Sequence, residues 1–334
     1  MINLLTMVRK QDKTATPKGV VATLSAGFEL ATRYLWLMII PAALDFFLWI
    51  GPRLSFQSLI ADLINQFPVE AAVVDPRPML EMIAPYLNQF SYLSVTYLGV
   101  PALMAGLSPE KTPLNPAVIE LSGWGAWIGT LILFTLAGLL LAAIYFSLIA
   151  AAMDRAAGIP VADRDRSLSA RIGRTWLRLV ALALLFVGLI FAVMLPFSLL
   201  AGFIALLSQT IATFVLMGAF VLLISLGIFM GYTPQGMTLN PRAFLPAVGE
   251  SIQLFQRYLS PAVLLLFVVI TARRLLSWVL LAADSGTWVT AINILAHAYI
   301  STALITALFI FYRDRYQVFR QDAQLKSQIE QPTQ

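Results

Sequence analysis

The sequence contains no cysteine, which excludes disulfides, thiolate metal sites and cysteine nucleophiles. It contains one histidine, His297, so neither an HExxH pair nor any multi-histidine metal site can form. Charge is also scarce. Acidic and basic residues together make up 12% of the 334 residues, about half the share of an ordinary soluble domain. No GxxxxGK followed by Ser or Thr occurs, so a P-loop motor is excluded. No GxSxG occurs either, and a lone histidine offers no plausible Ser/His/Asp set. The apolar runs contain no acidic pair for proton chemistry, so the chain reads as a non-enzyme without a cofactor.

Apolar surface, by contrast, is abundant. Residues of the AVILMFWYC set make up 59% of the chain, and the mean hydropathy is +0.82. A soluble fold of this size could not cover itself with 22 basic and 17 acidic side chains. Disorder is excluded as well, because too much apolar surface would stay in water. The reading is an all-α polytopic membrane protein. The net charge of +5 then reports topology and does not imply a nucleic-acid partner.

Six runs are long or apolar enough to be spans: about 34–50, 124–153, 176–207, 211–232, 261–283 and 288–312. The first is short, roughly 26 Å at 1.5 Å per residue, but Trp36 and Trp49 can mark its interfacial ends. Residues 1–33 read as an N-terminal arm ending in an interfacial helix, with Glu29 and Arg33 spaced i, i+4 as a supporting pair. The short apolar start before Arg9 and Lys10 does not resemble a secretory signal. Residues 34–312 form the transmembrane domain, and residues 313–334 form a tail. Basic residues favour one side of this layout. The arm holds five, segment 154–178 holds six, and the tail holds Arg313, Arg315, Arg320 and Lys326. The insert 51–123 between the first two spans holds only Arg53, Arg77 and Lys111, against six acids. The positive-inside rule therefore places both termini on the cytoplasmic side of the inner membrane.

Within the insert, Leu54, Phe56, Leu59, Ile60, Leu63, Ile64 and Phe67 follow helical spacing, with Asp62 on the other side. Segment 82–108 has no charge, but it carries Asn88, Gln89, Ser91, Ser94 and Thr96 and is broken by Pro85, Gly99 and Pro101. A span there would reverse the charge topology, so it reads as an outer-face interfacial or re-entrant hairpin.

Arg273 and Arg274 split the fifth span. Mid-helix arginine costs about 2.5–3.5 kcal/mol on insertion scales, so the helix needs partners within a bundle. Depth arithmetic puts Asp45, Arg273, Arg274, Asn293 and His297 at similar levels, and Asn293, His297 and Ser301 on one stripe. These residues form a candidate intramembrane polar cluster. Its readings are a structural ion pair, a snorkelling arginine, or a site for an anionic group. Gly125/Gly129 and Gly227/Gly231 have GxxxG spacing, suited to close packing within the bundle or between copies. Segment Arg164–Leu179 reads as a basic amphipathic helix, with Arg164, Arg171, Arg174 and Arg178 as candidate contacts to anionic lipid headgroups. Residues 242–259 form a second candidate surface helix. Two such helices could also dock protein partner subunits.

The segments Gly27-Phe-Glu-Leu-Ala-Thr-Arg-Tyr-Leu-Trp36 and Met153-Asp-Arg-Ala-Ala-Gly-Ile-Pro160, the second followed by a basic helix, carry a family resemblance. The layout resembles a group of multi-pass prokaryotic membrane proteins similar to the membrane-anchor domain of some glycerophosphodiester phosphodiesterases. The resemblance implies an anchor or scaffold. The phosphodiester chemistry of those fusions belongs to a separate soluble barrel, for which the insert and tail leave no room. The expected function is a structural or accessory subunit or a lipid-interacting scaffold. The alternative is a transporter component handling an anion through the arginine pair.

Overall fold

The computed structural model describes residues 17–66, 77–95, 98–106, 108–109, 111–158, 167–240, 244–282 and 286–329, with side chains through Val318. Among the described residues, eleven α-helices follow one another in chain order. They are α1 (Val20–Arg33), α2 (Ile39–Ile50), α3 (Gln57–Gln66), α4 (Arg77–Ile83), α5 (Trp124–Ala156) and α6 (Leu168–Ala205), then α7 (Gln209–Phe229), α8 (Thr233–Leu239), α9 (Phe244–Arg257), α10 (Leu259–Leu281) and α11 (Val289–Ile329). Strands β1 (Arg53–Ser55) and β2 (Val118–Glu120) pair in parallel as the one short ribbon among the described residues. The chain is an all-α, multi-pass membrane protein. Five of its helices are long and apolar enough to cross a bilayer, and the bent pair α1 and α2 makes up to six.

The core is built around α11, where 78% of the most apolar stretch is buried, against 44% in α5. Leu139, Ala142, Ala143, Tyr145, Phe146, Ile149 and Met153 of α5 pack with Leu44, Leu48 and Trp49 of α2 and with Ile294, Ile305, Phe309 and Ile310 of α11. A second cluster joins α9, α10 and the far half of α11 through Phe255, Leu265, Leu266, Val269, Phe311 and Tyr312. The outlying spans differ from this core. Only 17% of the corresponding stretch is buried in α6 and in α10, and 11% in the α7–α8 unit.

The chain bends sharply between α1 and α2. Tyr34 adopts a non-helical conformation, and a 3-10 turn (Leu35–Met38) then leads into α2, so the two arms meet at 93°. Glu29 and Arg33 are exposed on α1, but its other face is not solvated. Thr23, Gly27, Leu30 and Ala31 are buried, and Gly27 sits so close to Ala303 and Ala307 that a Cβ there would lie 2.5 Å from the Ala303 carbonyl oxygen. The Thr32 and Tyr299 hydroxyls are hydrogen-bonded at 2.8 Å, and Arg315 donates to the Lys18 carbonyl at 3.0 Å. α1 thus runs antiparallel along α11, and small residues on both helices allow the close approach.

One predicted boundary shifts. The basic segment expected as a separate helix is the start of α6, which runs unbroken for 38 residues through Pro196. Its arginines find polar partners inside the chain, so no break is needed to return them to the interface. At the other end, α11 continues through Ile329, so residues 313–329 of the expected tail are helical.

The insert is a helical cap with a loop that enters the bundle. α3 buries Leu59 and Ile64 and exposes Asp62. In 82–108 the described pieces are α4, two short 3-10 turns and a loop, and none is long enough to span. Val100, Leu103 and Met104 are buried in the main core, and the Leu93 carbonyl packs against the bare backbone of Gly138 in α5. The segment's polar residues satisfy this buried backbone. The Asn88 carboxamide oxygen accepts from Leu54 N and Phe90 N at 3.1 and 3.2 Å. Gln89 donates to the Trp127 carbonyl at 3.1 Å, and Ser94 donates to the Val100 carbonyl at 2.9 Å.

Candidate functional site

The five residues of the expected mid-membrane cluster fall into three separate groups around α11. The first contains Asp45 and His297. Asp45 is fully buried in α2, and His297 is 1% exposed. The His297 Nδ1 lies 3.4 Å from Asp45 Oδ2, within ion-pair range but without hydrogen-bond geometry. Asp45 Oδ1 accepts from Met104 N at 2.8 Å, which ties the cap loop to the bundle. The Ser301 hydroxyl lies 3.2 Å from His297 Nε2. In this arrangement Nδ1 faces a carboxylate and Nε2 faces a hydroxyl.

The second group is Asn293, which donates to the Leu280 carbonyl at 2.9 Å and pins the end of α10 to the start of α11. The third is Arg273. It lies within electrostatic range of Tyr145 in α5, whose phenol donates to the Thr302 hydroxyl at 3.0 Å. Arg273 is partly buried and Arg274 is exposed. Among the described residues, neither arginine has a carboxylate within ion-pair distance. The reason is rotational. Thr302 follows His297 by five residues, about 140° around the helix at 3.6 residues per turn. Similar depth therefore leaves Asp45 and Arg273 on different faces of α11.

The arginines of the basic segment are also engaged internally. Arg171 forms a 3.0 Å ion pair with Asp154, clamping the start of α6 to the end of α5. Arg178 donates to the carbonyls of Met237 and Asn240 at 2.8 and 3.0 Å, where a cation suits the C-terminus of α8. Arg174 is partly buried, and Arg164 lies outside the described residues.

Sequence reasoning missed a polar knot around α8. Thr233 through Thr238 are all buried in this seven-residue helix. The Tyr312 hydroxyl packs on Gly236, accepts from Asn240 at 3.2 Å and donates to Glu250 at 3.4 Å, and Tyr316 donates to the other Glu250 oxygen at 3.4 Å. The available signal was the polar segment Thr233-Pro-Gln-Gly-Met-Thr immediately after an apolar span, which reads as a loop when only hydropathy is weighed. Arg315 is 3% exposed and stacks on the Phe311 ring at 3.5 Å.

Among the described residues, no group of three or more His, Cys, Asp or Glu side chains could hold a metal ion. The three polar groups around α11 can fix helix rotation, hold the cap loop and, at the arginine pair, receive an anion. Comparison of the chain with protein-family models, curated proteins and solved structures finds no match.

Proposed function

We infer that this protein is a non-enzymatic, lipid-interacting membrane scaffold, with both termini on the cytoplasmic side of the inner membrane. The observation that carries this reading is the exposure of α6, α7 and α10. Leu184, Phe191, Phe203, Phe214, Phe220 and Phe267 are all more than half exposed, and only 11–17% of the most apolar stretches of these spans is covered by the chain itself. Such surface needs lipid or another transmembrane segment around it. The distribution of Lys and Arg supports the orientation. The resemblance of segments 27–36 and 153–160 to phosphodiesterase membrane anchors points the same way.

Purification in mild detergent, with co-purifying lipids and proteins identified, tests the reading. Retained anionic lipid supports a lipid scaffold, and a stoichiometric protein partner supports an accessory subunit. A protein that carries neither refutes both. Reporter tags near positions 70 and 165 should appear on opposite sides of the membrane.

One observation favours a second reading, transport of an anion: Arg273 and Arg274 lack a carboxylate partner among the described residues. Transport requires water to reach the pair. In this cysteine-free chain, Arg273→Cys should then react with a membrane-impermeant thiol reagent from one face. A cysteine that stays unreactive in every state overturns transport.

A further inference from the structure

We propose that Arg273 and Arg274 hold the phosphate of a membrane lipid partway along α10, an assignment that rests on the lipid-interacting reading above. Arg273 lies 14 residues after Leu259 and eight before Leu281, roughly 21 Å and 12 Å along the helix axis. Two adjacent cations at this depth repel each other and need a counter-ion. Among the described residues, Asp45 and Glu250 are already in use. Asp45 is engaged by His297 and Met104 on another face of α11, and Glu250 takes the hydroxyls of Tyr312 and Tyr316. No carboxylate among the described residues pairs with either arginine, which points to a counter-ion from outside the chain. Two guanidinium forks match the oxygens of a phosphate, and their weak hydration suits a site in apolar surroundings.

The surroundings select phosphate carried on a lipid. Arg274 interrupts an exposed stripe on α10 at helical spacing: Phe267 (63% exposed), Ile270 (49%), Arg274, Trp278 (75%) and Leu281 (48%). Inorganic phosphate there would leave most of its oxygens facing hydrocarbon. A phospholipid lays its chains along Phe267 and Ile270, and its headgroup runs towards Trp278, whose indole N–H is a free-standing donor near the helix end. The two arginines divide the work. Arg273 is partly buried, and Arg274 is exposed on the apolar surface of α10.

The test uses delipidated full-length protein in dodecyl maltoside and native mass spectrometry. Three probes are compared: phosphatidylglycerol, a diacylglycerol with the same chains, and inorganic phosphate. Phosphatidylglycerol should be retained at least fivefold more than diacylglycerol. Arg273→Gln/Arg274→Gln should lower its occupancy at least fivefold and leave diacylglycerol unchanged. If the double variant aggregates, Arg274→Gln alone, at an exposed position, should lower occupancy at least threefold. Unchanged occupancy in these variants overturns the site, and a persisting preference for phosphatidylglycerol then leaves the lipid-scaffold reading standing. Equal retention of both lipids by the wild type overturns the site and leaves the lipid-interacting reading standing, whereas retention of neither overturns both. An adduct formed with inorganic phosphate and not with phosphatidylglycerol overturns the lipid as its source.

Discussion

Gly27→Ala probes the α1–α11 crossing at its narrowest point. The added Cβ would lie 2.5 Å from the Ala303 carbonyl oxygen and 2.8 Å from the Ala307 Cβ. Both contacts are about 0.5–1 Å too short, and neither obstacle is a side chain that can rotate away. α1 must lift off α11, which also stretches the Thr32–Tyr299 and Arg315–Lys18 bonds at its two ends. Overpacking of this kind costs about 1–3 kcal/mol. Alanine offsets up to about 1 kcal/mol of that through helix propensity. The net expectation is a loss of up to about 2 kcal/mol, with Gly27→Val worse because valine is bulkier and a poorer helix former. Gly125→Ala and Gly129→Ala are the controls, because a Cβ at either would meet nothing within 4 Å. Only the propensity term acts there, so these variants should be neutral or more stable by up to about 1 kcal/mol. Thermal unfolding in mild detergent, read by tryptophan fluorescence, ranks the four substitutions, and hydrogen exchange of α1 amides localises the effect. If Gly27→Ala is as stable as the controls, α1 does not pack on α11 in this way.

A double-mutant cycle separates the polar groups. Asp45→Asn and Arg273→Gln should be additive within about 0.5 kcal/mol, whereas Asp45→Asn and His297→Gln should show coupling of about 0.5–3 kcal/mol in unfolding measurements. Arg178→Met strands the Met237 and Asn240 carbonyls and should cost about 1.5–3 kcal/mol, with faster amide exchange in α8 as the local sign. In the cap, burial pushes the Glu120 carboxyl up, but hydrogen bonds from Ser55, Ser58 and Gln57 outweigh it and hold the group below its ordinary value of 4.5. A lowered carboxyl contributes stability above the unfolded value and loses it as pH falls through the folded one. Ser58 amide protection should therefore drop below about pH 4.5, and Glu120→Gln should abolish that step.

The spans were legible because runs of 20 or more apolar residues have few other fates. The cap helix at Leu59 and Ile64 was legible for a related reason, since its period and its single acid agree. Rotation about each helix axis was much less legible. Depth arithmetic grouped Asp45 with Arg273 because it measures distance along the bundle only, and α11 stands between them. Glu29 and Arg33 drew α1 towards the surface reading, while the other face carried the packing signal, Thr23, Gly27 and Ala31 at spacings of four. The GxxxG pairs show the converse. Their spacing alone does not say which helix, if any, lies opposite, and Gly125, Gly129 and Gly227 meet nothing within 4 Å. Asn88, Gln89 and Ser94 argued against a span at 82–108, and none of its described pieces is long enough to be one; their burial was not legible, because it follows from a loop that enters the bundle and needs its polar groups satisfied.

These misreadings share a physical origin in α11. A helix in hydrocarbon gains little from burying apolar side chains against other helices, since lipid tails are equally apolar. Its rotation and register must come from close packing and from polar contacts that only one arrangement can make. α11 carries several such devices, among them Ala303 and Ala307 against Gly27 of α1, His297 against Asp45 of α2, Thr302 against Tyr145 of α5, and Asn293 against Leu280 of α10. Each of these four contacts has its complement within the chain. Arg273 and Arg274 differ, because among the described residues no carboxylate answers them. A polar device that fixes helix packing brings its partner with it, so an arginine pair without one is where this bundle turns outward, towards an anion in the membrane.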